Sequence, residues 1–218
     1  MARLGIIGTG GLAFDTLAVL DDTISTHHPS LASREWEAVV VHANDGPRPE
    51  EIDAITMPLD HWLEVAGPED YYAIAEDSGI TRQATQTLLS KCAAQPLALT
   101  NPSTQLRGNC QLAKGAVIGP QSFFCDIGSV GQHFLCGAFA VFGPGTSVGN
   151  YVTVNHRVVC EGNIILEDQV TIEQSVVIAA GKPDNPIRIG SGATLRAGAY
   201  INGDVAADEV VLTHPEGG

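Results

Sequence analysis

The first residues that could do chemistry stand at positions 8 to 13. Gly8-Thr9-Gly10-Gly11-Leu12-Ala13 follows a short apolar run, Leu4-Gly5-Ile6-Ile7, and precedes a helical pattern that continues to Leu20. This is the G-x-G-x-x-A arrangement of a strand-to-helix turn, where glycines let the backbone approach a phosphate and the helix N-terminus supplies N–H donors. The alternative is a tight turn with no ligand. A second apolar run, Trp36 to Val41, ends in His42-Ala43-Asn44-Asp45, where an acidic residue can meet a ribose hydroxyl. The cysteines, Cys92, Cys110, Cys125, Cys136 and Cys160, have neither CxxC nor Cys/His metal spacing, so free and mostly buried thiols are expected.

Periodicity defines the elements that must hold such groups. From Leu106 a step of six reaches Leu112, Ile118, Phe124, Val130, Cys136, Phe142, Val148, Val154, Cys160, Leu166, Ile172 and Ile178 without a slip. The following residue is often small or acidic, as at Gly119, Gly143 and Glu167, and the residue two before is small or β-branched, as at Ala116, Ala140 and Val170. A short strand with alternate side chains inward and then a corner, favouring Gly, Asn or Asp, makes one face of a prism in six residues. Three faces close one coil of eighteen, so the aliphatics stack from coil to coil and the core forms between coils. After Ile178 an eleven-residue step leads to Ile189, Leu195 and Ile201, so about five residues within Gly181-Lys182-Pro183-Asp184-Asn185-Pro186 are expected as an external loop. On this prism His133 and His156 are scattered and do not offer three ligands on facing corners, which argues against a metal site of the carbonic-anhydrase kind.

The preceding segment reads as a small α/β unit. Tyr71 to Ala75 is a third strand that leads through Glu76-Asp77-Ser78-Gly79 into a helix from Thr81 to Cys92, an alternation too short for a full dinucleotide fold. The expected organisation is a Rossmann-like domain over residues 1–100 and an all-β parallel β-helix over 101–218. A formal charge of −14, with eleven Lys and Arg, argues against nucleic acid and anionic membranes as partners. No apolar stretch of eighteen residues exists and the start runs straight into a strand, so a soluble cytoplasmic protein is expected.

Over nearly its whole length the sequence resembles bacterial nucleotide-sugar N-acetyltransferases and sialic-acid O-acetyltransferases of the left-handed β-helix class. The resemblance is carried by Gly8-Thr9-Gly10-Gly11, by Asn101-Pro102-Ser103-Thr104, and by Gly198-Ala199-Tyr200-Ile201-Asn202-Gly203-Asp204-Val205 through Thr213-His214-Pro215-Glu216. It implies a nucleotide-sugar pocket on Gly8, Gly10, Gly11, Leu12, Asn44, Asp45, Ser78 and Arg82. It also implies an acyl-CoA groove at Thr153, Gln174 and Ala197, and a homotrimer with acetyl-CoA, as co-substrate, between neighbouring β-helices. No metal is implied.

In that family a corner histidine acts as general base. Counting forward from Asn101-Pro102 and back from Val205 puts that corner at Gly143-Pro144-Gly145, and proline takes no proton. Leu12 and Asn101 likewise stand where the family carries histidine. Two histidines are candidates to substitute. His156, in Val154-Asn155-His156-Arg157, matches the family's V-N-H-D twelve residues after the expected corner; His133, in Gly131-Gln132-His133-Phe134, is the second. Asp126 stacks one coil below Pro144 and could line the same corner. The implied reaction is N-acetylation of an amino sugar carried on a nucleotide, since an amine tolerates a missing base better than a hydroxyl does. The alternative is a nucleotide-sugar-binding or regulatory homologue that no longer transfers the acyl group.

Overall fold

The computed structural model describes residues 2–8, 36–43 and 55–213. The N-terminal apolar runs form β1 (Ala2–Ile7), β2 (Trp36–His42), β3 (Ile55–Pro58), α1 (Leu59–Val65), β4 (Tyr71–Ile74), α2 (Gly79–Leu89) and β5 (Gln95–Pro96). The strands lie in the order β3-β2-β1-β4-β5, all parallel. Successive strands run outward on one side of β1 and then cross to the other, so the C-terminal ends of β1 and β4 flank the topological switch point, where open α/β sheets take ligands. Neither β3 nor α1 is predicted from sequence, because four and seven residues are too short to display a period. The predicted helix after β4 is present as α2, starting earlier because Ser78 Oγ accepts from Thr81 N at 3.3 Å and caps it.

Alternation along the strands gives this sheet two apolar faces. Ile7, Val39, Val41, Tyr72 and Ile74 pack with Trp62 of α1 and Leu89 of α2. Leu4, Ile6, Ala73 and Ala75 pack instead with Leu97, Leu99, Val117 and Leu135, which belong to the outside of the following domain. The sheet is thus covered by helices on one side and by the β-helix on the other.

From Leu99 onward the chain winds into three parallel sheets, the arrangement of a left-handed β-helix. Face I runs from Leu99–Thr100 through Leu135–Cys136 and Thr153–Val154 to Val210–Val211. Face II runs from Gln105–Arg107 through Val141–Phe142 to Tyr200–Ile201, and face III from Cys110–Leu112 through Ser147–Val148 to Ile187–Ile189. The first rung lies one hexapeptide before Leu106. Coils stack in the expected register, with Phe124 on Phe142, Cys136 on Val154 and Val148 on Leu166. After the exposed turn closed by the Lys182–Asn185 bridge the offset grows by five, pairing Leu166 with Ile189 and Ile178 with Ile201.

The six-step residues point inward and are buried from Ile118 to Ile201; Leu106 and Leu112, near the first coil, are half-buried. Inside the prism Phe124 stacks on Phe142 at 4.7 Å between centroids, with Phe134 edge-on to both. The corners depart from expectation in composition. Left-handed backbone recurs at stacked positions occupied by His133, Tyr151 and Gln169 on one edge and by Gln121, Phe139, Arg157 and Ser175 on another. Each such residue costs about 1–2 kcal/mol relative to right-handed backbone, a cost that the repeating coil imposes.

Candidate functional site

Gly8 ends β1 at the switch point, with φ +131° and its N–H donating to Val41 O at 2.9 Å. A Cβ there would lie 2.8 Å from Ala75 O, so only glycine fits between the ends of β1 and β4. The carboxyl of Glu76 overhangs the same point, 3.5 Å from where that Cβ would be. Burial, with Asp77 beside it, raises the Glu76 pKa. Thr9, Gly10, Gly11, Leu12, Asn44 and Asp45, with the helix to Leu20 and the end from His214, lie outside the described residues.

The segment after β4 ties this crevice to the β-helix. Thr153 Oγ1 donates to Asp77 O at 2.7 Å and accepts from Arg82 Nη1 at 2.9 Å. The Arg82 guanidinium, fully buried, also donates to His133 O, Glu76 O, Asp77 O, Tyr151 O and Val152 O at 2.7–3.0 Å. Burial draws its pKa down to about 10, against the pull of Asp77 and Glu76. All the N–H groups of Arg82, expected at the nucleotide-sugar pocket, are spent on protein oxygens, and the side chain clamps the two domains together. The hydroxyl of Thr153, expected along the acyl-CoA groove, is engaged in the same clamp. Ser78 is the cap of α2.

His133 sits under the same clamp. It is 1% exposed, stacks on Tyr151 with centroids 5.5 Å apart, and neither ring nitrogen has a hydrogen-bond partner. Burial, then the charge of Arg82, lowers its pKa to about 4. Enclosed in this way, the candidate base His133 has neither ring nitrogen open to the surface. Pro144 occupies the corner between faces II and III, its carbonyl accepting from Asn163 N at 2.8 Å. Asp126, below it, turns away toward the preceding coil, where Oδ1 accepts from Asn109 N at 3.0 Å.

His156 has a different setting. It is exposed on the corner between faces I and II, on the rung that begins with Thr153, and lines a groove of about 390 Å³ with Ala138, Phe139, Arg157, Gln174 and Ser175. Its Nδ1 accepts from Ala138 N at 2.9 Å. Gln132 N bonds to Asn150 Oδ1 and Asn150 N to Asp168 Oδ1 in the same way, at the same place within the hexapeptide. Gln174 lines the groove, and Ala197 stands one coil further on in the same ladder, with its N–H held by Glu173 Oε2 at 2.9 Å. Phe139 and Arg157 were missed as site residues, because nothing in a six-residue period distinguishes an exposed corner that lines a groove from one that faces solvent. Among the described residues no three His, Cys, Asp or Glu side chains gather as a metal site, and no helix is long and apolar enough to cross a membrane.

The architecture is thus that of a short parallel α/β unit docked on a left-handed β-helix, and proteins of this build are known. The chain is 22% identical over 193 residues to GDP-perosamine N-acetyltransferase of Escherichia coli O157:H7, covering 88% of this chain and 85% of that protein. Its structure is similar to WeeI from Acinetobacter baumannii AYE, with a TM-score of 0.82 at 22% identity over 97% of each chain. It is also similar to the acetyltransferase domain of PglB from Neisseria gonorrhoeae FA1090 in complex with acetyl coenzyme A, with a TM-score of 0.65 at 17% identity over 95% of this chain and 94% of that one. No protein-family model matches the sequence.

Proposed function

We propose that this protein is an acyl-CoA-dependent N-acetyltransferase acting on an amino sugar carried on a nucleotide. The observation that carries the reading is the groove beside His156. In a chain of charge −14, its lining residues include no carboxylate but do include an aromatic ring, a guanidinium, an imidazole, an amide and a hydroxyl. Such a lining suits a polyanionic, acyl-bearing nucleotide such as acetyl-CoA. The clamp on Thr153 holds the Gly8 crevice on the rung that ends at His156, so a nucleotide sugar held there can present its amine to the thioester. Catalysis then rests chiefly on bringing amine and thioester together. The named relatives, one of them an N-acetyltransferase of a GDP-linked amino sugar and another a complex with acetyl coenzyme A, support the same substrates.

The acting unit is a homotrimer, with acetyl-CoA between neighbouring β-helices. Face II presents outward a continuous apolar ladder, Phe123, Val141, Val159, Val177 and Tyr200, directly beyond the groove corner. A second copy packed there would wall the groove. The reaction belongs in the cytoplasm, where both substrates are made, and five unpaired cysteines suit a reducing compartment.

Mixing the protein with acetyl-CoA and a panel of UDP-, GDP- and dTDP-amino sugars tests the reading, with release of free CoA thiol as the expected result. Pro144, which cannot accept a proton at the corner where the resembled family has its base, favours a second reading: a nucleotide-sugar-binding protein without transfer. Binding of a nucleotide sugar with no thiol released by any member of the panel would select it.

A further inference from the structure

We propose that His156 is not a general base but the hydrogen-bond donor to the acyl carbonyl of the bound thioester. The inference rests on the acyltransferase reading above and assigns the chemistry of one side chain in its groove.

A backbone N–H can only donate, so the Ala138 N–H at 2.9 Å occupies the lone pair of His156 Nδ1. The neutral ring is thereby fixed as the tautomer that carries its proton on Nε2. A base needs a free lone pair toward the substrate, and this ring has only an N–H left to offer. The tautomer is built into the coil. Gly137 lies beneath the imidazole, and a Cβ there would be 2.8 Å from Nδ1, so the glycine is what lets the ring lie flat on the corner. The bond to Ala138 repeats the cap that Asn150 and Asp168 make at equivalent positions with side-chain oxygens. Histidine does the structural work of Asn there and adds an N–H on an exposed side chain that lines the groove.

A neutral donor suits a carbonyl oxygen, whereas phosphate is better served by the guanidinium of Arg157 on the next residue. His156 also stands on the rung clamped to the sugar-binding domain, while Gln174, one coil on, continues the groove away from it. The reacting end of acyl-CoA therefore belongs at His156. In the step, the neutral amine nitrogen forms a bond to the thioester carbon and the carbonyl π pair moves onto oxygen, where Nε2–H stabilises it. Collapse re-forms the carbonyl and breaks the C–S bond, and the nitrogen's proton goes to the departing thiolate, giving amide and free CoA.

Isotope-edited infrared spectroscopy of acetyl-CoA labelled with carbon-13 at the thioester carbonyl reads this bond without needing the acceptor sugar. The expected result is a carbonyl band shifted to lower frequency in the wild-type complex and returned toward the free value in His156→Asn. That variant keeps its Tm, since asparagine can retain the cap, whereas His156→Ala lowers it. Transfer by His156→Asn should fall about 10²-fold in kcat, as for loss of one oxyanion donor, with the shape of the pH–rate profile unchanged. Gly137→Ala, which displaces the ring but keeps the imidazole, should abolish the band shift as well. An identical band in wild type and His156→Asn, with normal transfer by both, overturns the proposal alone. Loss of the acid limb of the pH–rate profile in His156→Asn restores the base and overturns it too. No binding of acetyl-CoA by the wild type overturns the acyltransferase reading along with it.

Discussion

Two histidines that look alike in sequence part company once their nitrogens are followed. His156 spends Nδ1 on a backbone amide and is exposed, while His133 has two unpartnered nitrogens and almost no exposure. For His133 the consequence is a pH dependence of stability. Its folded pKa of about 4 lies below the ordinary 6.5, so between these values the unfolded chain binds the proton and the folded chain does not. Stability is therefore complete above pH 6.5 and is lost as pH falls toward 4, by about 3 kcal/mol at most. His133→Phe should flatten the fall of Tm between pH 7 and pH 4.5, because the ring can still stack on Tyr151 and Phe139 already accepts the same left-handed backbone in this chain. A Tm profile as steep as the wild type's would refute the assignment. None of this was legible in the sequence: the repeat gave both histidines a corner, but which corner is covered by α2 depends on a docking that no local pattern encodes. The corner that holds Pro144 was located by counting, because the six-residue step acts as a ruler along the prism.

Among the elements, α2 matters most to the candidate site, since through Arg82 it fixes the crevice at Gly8 to the rung that ends at His156. One guanidinium bonds to oxygens of six residues, His133, Glu76, Asp77, Thr153, Tyr151 and Val152, with no carboxylate in direct contact. Arg82→Gln would leave several buried carbonyls without a donor, at a cost of about 3–5 kcal/mol. That cost falls on the junction. Amide hydrogen exchange should accelerate in α2 and at the end of β4 while the amides of faces II and III keep their protection; uniform exchange across the variant would show that Arg82 is not a local clamp. The β-helix itself was legible from Leu106 to Ile201, including the five-residue excess before Ile189, because each residue in the series has one outcome, inward burial. The α/β unit was only partly so. Its strands β1, β2 and β4 are apolar runs with turn residues after them, but β3 and α1 are held by Trp62 and the neighbouring strand, contacts that depend on the assembled sheet.

At the scale of the whole molecule, the three faces of the prism differ in what they show to the outside. Face I is covered over its first rungs by the α/β unit through Val117 and Leu135. Face III presents Gln111, Ser129, Ser147, Ile165 and Arg188, a ladder that is mostly polar. Face II presents Phe123, Val141, Val159, Val177 and Tyr200, of which Phe123, Val141 and Tyr200 are exposed by 37%, 38% and 65%. Three chains of −14 each repel one another, so an assembly has to be held by apolar contact, and among the described residues face II is the prism face whose apolar ladder is exposed. Because the groove corner runs directly into that face, assembly and acyl-CoA binding should be lost together. Sedimentation equilibrium should give a mass near three times the 22.8 kDa chain for the wild type. Val159→Asp, in the middle of the ladder and pointing away from the prism interior, should reduce it to one chain and abolish acetyl-CoA binding, while the circular dichroism of the coil is retained. A variant that remains trimeric would move the interface to another face. One that dissociates yet binds acetyl-CoA with unchanged affinity would make the groove complete within a single chain, and face II would then have no part in the site.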